Sequence, residues 1–133
     1  VKKKKRSAES DQVDWWPAPV EIGKMRLRIE AAIRSIPKGK VSTYGAVARA
    51  AGIPQGARQT ARVLQGGFGL PWQRVLGAGG EIKLRGDGAI EQRLRLEAEG
   101  VRFRGRKVDM KGFEFKFPRA ALKMAPRLKR SND

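Results

Sequence analysis

Residues 70–76 read LPWQRVL, a tryptophan between a proline and a glutamine-arginine pair. A large flat ring beside polar Gln73 and Arg74, just ahead of the apolar pair Val75-Leu76, fits a core position better than a pocket wall when taken on its residues alone, and a pocket wall is the alternative. Such a wall can hold a flat or apolar group, but it cannot transfer one. The chain has no cysteine and no histidine, which removes thiolate nucleophiles, imidazole bases, disulfides and the usual zinc ligands together. No serine, threonine or lysine stands in the Trp72 block to replace them. No catalytic set, metal site or cofactor is therefore expected. The side chains left to do chemistry are those that bind: Trp72, Gln73 and Arg74, the sole tyrosine Tyr44, and many cations.

Those cations indicate the partner. There are 30 Lys and Arg against 13 Asp and Glu, a formal charge of +17 and a pI near 11.3, far beyond what solubility requires. Residues 15–112 alone hold 19 basic and 8 acidic side chains, net +11, so the charge belongs to the folded part as well as to the ends. A polyanion such as nucleic acid is the expected partner.

At 133 residues with 40% apolar side chains the chain suits one domain with trimmings. Val1–Asp14 is expected to form a flexible basic arm in which Lys2–Arg6 add salt-sensitive affinity for a polyanion. A folded domain is expected over 15–112 and a basic, partly disordered extension over 113–133. Basic Val1–Arg6 leads into polar Ser7–Asp14, not the apolar core of a signal peptide, and no run approaches membrane-spanning length. A soluble intracellular monomer without membrane contacts is the expectation, in the bacterial cytoplasm with the nucleoid, or in the nucleus if the source is eukaryotic.

The elements that must position these side chains follow from periodicity. Ile22, Met25, Ile29, Ile33 and Ile36 recur at helical spacing before Pro37 and Gly39, predicting an amphipathic helix, with Trp15 and Trp16 as its apolar lid. In KVSTYGAVARAAGIP, Ser42 or Thr43 can cap a short helix whose apolar face is Val47, Ala48 and Ala51, closed by Gly52 and Pro54. GARQTARVLQGG predicts a second, with Ala57, Ala61 and Leu64 inward and Arg58 and Arg62 sharing a face. Two short helices joined by a tight Gly/Pro turn, the second carrying arginines, have the layout of a helix-turn-helix. Beyond them, Arg74–Leu76 and Glu81–Leu84 flank a glycine turn and predict a hairpin wing, with Lys83 and Arg85 placed to meet phosphate. Asp87 can cap a last helix with Ile90, Leu94 and Ala98 inward. VRFRGRKVDM and Phe113–Phe117 alternate like half-buried strands or edge segments. The expected fold class is mainly α with a small β wing (α+β), a winged helix-turn-helix DNA-binding domain.

The string IPKGKVSTYGAVARAAG, the arginine of GARQTAR, the PWQRV block and the closing RLEAEGV occur in an order and spacing that resemble one family. Over about residues 20–104 the chain resembles the alkyltransferase-like proteins, relatives of the DNA-binding half of O6-alkylguanine-DNA alkyltransferases. In the alkyltransferases a Pro-Cys-His-Arg block supplies the alkyl-accepting thiolate; here it reads Pro71-Trp72-Gln73-Arg74. Glu99 stands where their proton relay ends, with no cysteine or histidine to couple to, and the expected asparagine is a glycine at or near Gly67. Tryptophan at position 72 is typical of the alkyltransferase-like branch, while Gln73 departs from the histidine many of its members keep.

The resemblance implies roles for matching residues. Tyr44 would press on the phosphate 3′ of a target nucleotide, and Arg58 would enter through the minor groove and fill the place of the extruded base. Ala57, Thr60 and Ala61 would let the helix lie close in that groove, with Arg62 as a further contact. Trp72, Gln73, Arg74 and Tyr44 would line the pocket. Taken on its residues, Arg74 either braces that pocket or meets phosphate, and Glu99 makes a structural hydrogen bond at most. The implied function is non-enzymatic: binding duplex DNA at O6-alkylguanine by base flipping and marking it for nucleotide excision repair proteins. The alternative is a winged-helix regulator or chromatin-associated protein without lesion specificity.

Overall fold

The computed structural model describes residues 19–66 and 69–118. The basic arm, Trp15-Trp16, Gly67 and the tail from residue 119 lie outside the described residues.

Helix α1 spans Pro19–Arg34, opening on a proline whose missing N–H no helix start needs. Met25, Ile29, Ile33 and Ile36 follow at steps of four, four and three, and each is 5% exposed or less. That is the expected stripe, with Ile22 packed at its edge. Pro37 has no N–H to continue the ladder, and the chain turns through Gly39 at φ +87° into β1, Ser42–Thr43.

Thr43 is the cap of α2, Tyr44–Ala50: its Oγ1 accepts the Ala46 N–H at 3.1 Å, a bond worth about 1 kcal/mol to the helix. Ser42 instead lies buried in β1. The turn after α2 closes at Gly56, where an added Cβ would stand 2.5 Å from Ile53 Cγ2. Helix α3, Ala57–Gly66, then packs across α2, and both rest on α1. This pair is the expected helix-turn-helix, but its inner face differs. Ala57 is exposed, and the fully buried residue of α3 is Thr60, whose Oγ1 donates to Gly56 O at 3.1 Å. A threonine tolerates this place because its hydroxyl finds a carbonyl one turn back. Val63 and Leu64 complete the contact with the core.

The expected wing hairpin is corrected. Val75–Leu76 (β2) does not pair with residues 81–84; it pairs in parallel with β1, Ser42 opposite Val75 and Thr43 opposite Leu76. Both side chains are at most 1% exposed, one toward each face: Val75 joins the α1–α2 core and Leu76 a second core with Val41, Leu96, Val101 and Val108. A strand buried on both faces belongs inside the domain, not on an outer hairpin. Between Gly77 and Glu81 a single bridge remains, Gly77 N–H to Glu81 O at 2.7 Å, around a tight turn at 78–80. Glu81 also bridges Lys107, beside a real hairpin of β3, Phe103–Arg104, with β4, Lys107–Val108, turning at Gly105. The mainly helical α+β architecture holds, and its hairpin is β3–β4 and not the expected one.

Helix α4, Asp87–Ala98, is rotated from the expected face. Ile90 and Leu94 are each 61% exposed, whereas Gln92 and Leu96 are buried. The Gln92 amide donates to Gln73 O at 3.1 Å and Val75 O at 3.0 Å, and satisfying those interior carbonyls turns the helix toward the Trp72 segment. Asp87 does not cap either; the N-cap is Gly86 at φ +61°, leaving Asp87 in the first turn. A short helix α5, Met110–Phe113, precedes an edge segment in which Phe115 N–H donates to Val41 O at 2.7 Å. Phe115 and Phe117 pack on the α1–α2 core, so the fold continues through the expected boundary at 112. Among the described residues no helix is long and apolar enough to cross a membrane.

Candidate nucleic-acid interface and base pocket

The Trp72 block is a single 3-10 turn, Trp72–Arg74, between Leu70 and β2. Trp72 is half-buried, Gln73 is only 8% exposed, and Arg74 points inward. What holds the turn is Glu99 at the C-terminal cap of α4. Its carboxylate accepts Gln73 Nε2 at 2.8 Å, Arg74 Nε at 3.0 Å, Arg74 Nη2 at 3.0 Å and the Gly39 N–H at 3.2 Å. Arg74 Nη1 donates in addition to Ile36 O at 2.9 Å, one of the carbonyls left open after α1. One carboxylate thus joins the turn before β1, the Trp72 turn and the end of α4, and through Arg74 it reaches the end of α1.

The electrostatics follow from the donors. Burial pushes the Glu99 carboxyl up, but hydrogen bonds from Arg74, Gln73 and Gly39, with the Arg74 charge beside them, more than reverse this and leave it below the ordinary carboxylate value. Glu99 is therefore charged near neutrality and fully engaged by donors. A glutamine at 73 can donate to it but cannot carry a proton to or from it as an imidazole would. Of the two roles open to Arg74, the geometry is that of a brace: a guanidinium fork on a carboxylate and a carbonyl, not a cation turned to solvent. Gln73, expected in the pocket wall, directs its amide to the same brace.

The remaining expected site residues separate into two groups. Tyr44 opens α2 directly after its cap, half-buried against the first core. Burial raises its hydroxyl above the usual tyrosine value, so it stays neutral and able to donate to a phosphate. Arg58 and Arg62 stand exposed one turn apart on α3, with no acidic partner among the described residues. Exposed Ala57 and half-buried Ala61 give this helix a low profile beside them. Lys83 and Arg85 are exposed on the loop before α4; Lys83 lies over Gly77 and shares its charge with Glu81 at 3.6 Å. Thr60 does not join the surface set, because its side chain is in the core and its hydroxyl is already bonded.

Four contributors carried no local signal for the site. Gln92 fixes α4 against the Trp72 turn, Ile36 O accepts from Arg74, Gly39 N–H donates to Glu99, and the Arg95 guanidinium lies 5.5 Å from the centre of the Trp72 ring. Glu91 and Arg95 are legible in sequence as an i,i+4 pair, but their approach to a residue more than twenty positions away is not.

Known proteins resemble this chain in sequence and in fold. Residues 24–101 match the family model described as 6-O-methylguanine DNA methyltransferase, DNA binding domain. The chain is 46% identical to a DNA base-flipping protein of Vibrio parahaemolyticus serotype O3:K6 (strain AQ3810), over 56% of this chain and 78% of the relative. It is 44% identical to Alkyltransferase-like protein 1 of Schizosaccharomyces pombe (strain 972 / ATCC 24843), over 56% of this chain and 73% of that one. The fold superposes on the crystal structure of S. pombe Atl1 in complex with damaged DNA containing O6-carboxymethylguanine, with a TM-score of 0.62 and 32% identity, covering 71% of this chain and 96% of the other. The chain belongs to the 6-O-methylguanine DNA methyltransferase DNA-binding domain family, in its alkyltransferase-like branch.

Proposed function

We propose that this protein binds duplex DNA at O6-alkylated guanines, turns the damaged base out of the stack and holds it without repairing it. The observation that carries this is the Trp72 turn. An aromatic ring stands in the block where the alkyltransferases have their thiolate, and the carboxylate that would end a proton relay is occupied by Gln73, Arg74 and Gly39. With no cysteine or histidine in the chain, the site can recognise an alkyl group and has nothing to accept it. The use of a base-flipping fold for reading is in keeping with the relatives' names and with the damaged DNA bound by S. pombe Atl1.

In this mechanism the Arg58–Arg62 face of α3 enters the minor groove, Tyr44 presses its neutral hydroxyl on the backbone beside the target, and Arg58 fills the gap. Unstacking a base costs a few kcal/mol, less when the base is already poorly paired, and a planar cation offsets part of it by stacking on the neighbours and bonding the orphan base. Trp72 then meets the alkyl group. Each methylene transferred from water is worth about 0.8 kcal/mol, so affinity rises with alkyl length until the pocket is full. The protein acts as a monomer where the chromosome is, and the occupied DNA is handed to nucleotide excision repair proteins.

The test is a titration of an O6-methylguanine duplex against its unmodified twin at stated salt, with intact-protein mass measured after incubation. Tighter binding of the modified duplex with unchanged mass is expected. Equal affinity for both would make the protein a lesion-blind winged-helix binder, and an added alkyl mass would make it an enzyme.

A further inference from the structure

We propose that Arg95, held in place by Glu91, positions the Trp72 ring and thereby contributes to lesion discrimination. The inference rests on the pocket function proposed for Trp72.

Glu91 and Arg95 lie one turn apart on α4, with Arg95 Nε 2.8 Å and Nη2 2.7 Å from Glu91 Oε2. The same guanidinium lies over the Trp72 ring, 5.5 Å from its centre, within the range of a cation–π contact. Helix α4 is itself locked to this turn, by Gln92 on Gln73 O and Val75 O and by Glu99 on Gln73 and Arg74. A half-buried indole bonded to the chain only at Cβ can rotate; with a planar cation on one face and that cation tethered by a carboxylate, the ring keeps one orientation. In this proposal the flat or apolar group meets the opposite face. Glu91 shares the Arg95 charge at 2.7 Å, so in this proposal the cation serves the ring and not a phosphate.

The same helix carries its own control. Arg93 lies 4.2 Å from the centre of the Phe103 ring and is bonded to Glu97 at 3.1 Å and Gly105 O at 3.0 Å. Charge, ion pair and aromatic contact are of the same kind, but the ring belongs to the β3–β4 hairpin.

The experiment titrates R95A, R93A and Trp72→Ala with an O6-methylguanine duplex and its unmodified twin across a range of salt. R95A should lower the modified-to-unmodified affinity ratio about two- to fivefold, as expected for one partly exposed cation–π contact, with the salt slope unchanged. R93A should leave the ratio where it is. With Trp15→Phe and Trp16→Phe in place, Trp72 is the sole indole, and R95A should speed its fluorescence depolarisation. Arg95→Gln, which keeps the stem and removes the charge, serves the same purpose if R95A does not fold. An unchanged ratio in R95A when Trp72→Ala loses it overturns the role of Arg95 alone. So does an equal loss for both duplexes with a shallower salt slope, which would make Arg95 a phosphate contact. If Trp72→Ala leaves the ratio intact, the pocket function itself falls, and the role of Arg95 with it.

Discussion

Replacing Glu99 by glutamine keeps the size of the side chain and removes the charge on which four donor groups converge. The new amide can accept through one oxygen, but in either orientation its NH2 faces an Arg74 N–H, together with the Gly39 N–H or the Gln73 amide, donor against donor. The side chains of Glu99 and Arg74 are 10% and 17% exposed, so the guanidinium would be left largely desolvated without its counterion. Breaking such a pair from one side costs about 3–5 kcal/mol, and the residual exposure argues for the lower end, about 3 kcal/mol. For a domain of this size that is a fall in Tm of about 12–24 °C.

The pH dependence sharpens the test. The Glu99 carboxyl is depressed in the folded protein, so its contribution is present above its unfolded value and is lost as pH falls through the folded one. Urea unfolding of wild type and E99Q should therefore show the full gap at pH 7 and a shrinking gap below about pH 4, around the unperturbed glutamate value. A gap under about 1 kcal/mol at pH 7, against the cost expected of a broken buried pair, would refute the brace. A gap that persists at low pH would show that the loss is one of shape and not of charge.

Other outcomes follow from the same geometry. Arg58→Ala should reduce both overall affinity and lesion preference, whereas deleting Lys2–Arg6 should weaken modified and normal duplexes alike and flatten the salt dependence; titrations of the two variants that look the same would remove the finger role from Arg58. Thr60→Val should cost about 1 kcal/mol through its lost bond to Gly56 O and leave DNA affinity unchanged, since its side chain is in the core. Leu94→Gln should change stability by less than about 0.5 kcal/mol, because Leu94 is 61% exposed; a loss of core size in thermal unfolding would restore the expected inner stripe.

Much of the frame was legible in the sequence. The α1 stripe, the Thr43 cap, the two-helix turn at Gly56 and the mainly α fold class all rest on interactions within a few residues, where spacing and side-chain chemistry suffice. The composition also decided early that no thiolate or imidazole chemistry is available, since a missing residue type is missing in every conformation. The wing and the face of α4 were misjudged for a shared reason. Apolar periodicity at Ile90 and Leu94 signals a buried stripe, but the helix faces inward with Gln92, whose amide satisfies carbonyls of a segment nineteen and seventeen residues away. Val75-Leu76 looked like half of a local hairpin, and the interior offered it a better partner in Ser42-Thr43.

For the site, sequence alone determined the inventory: an aromatic ring in place of a nucleophile, a neutral amide in place of an imidazole, a lone tyrosine, and two arginines one turn apart. Only the tertiary structure decided what each does locally. It gathered Gln73, Arg74 and Gly39 on Glu99, tied the end of α1 to Arg74, set Arg95 over Trp72, and withdrew Thr60 into the core. The physical reason is that a hydrogen bond or a ring contact depends on position in space, and burial decides which of several possible partners a polar group must take.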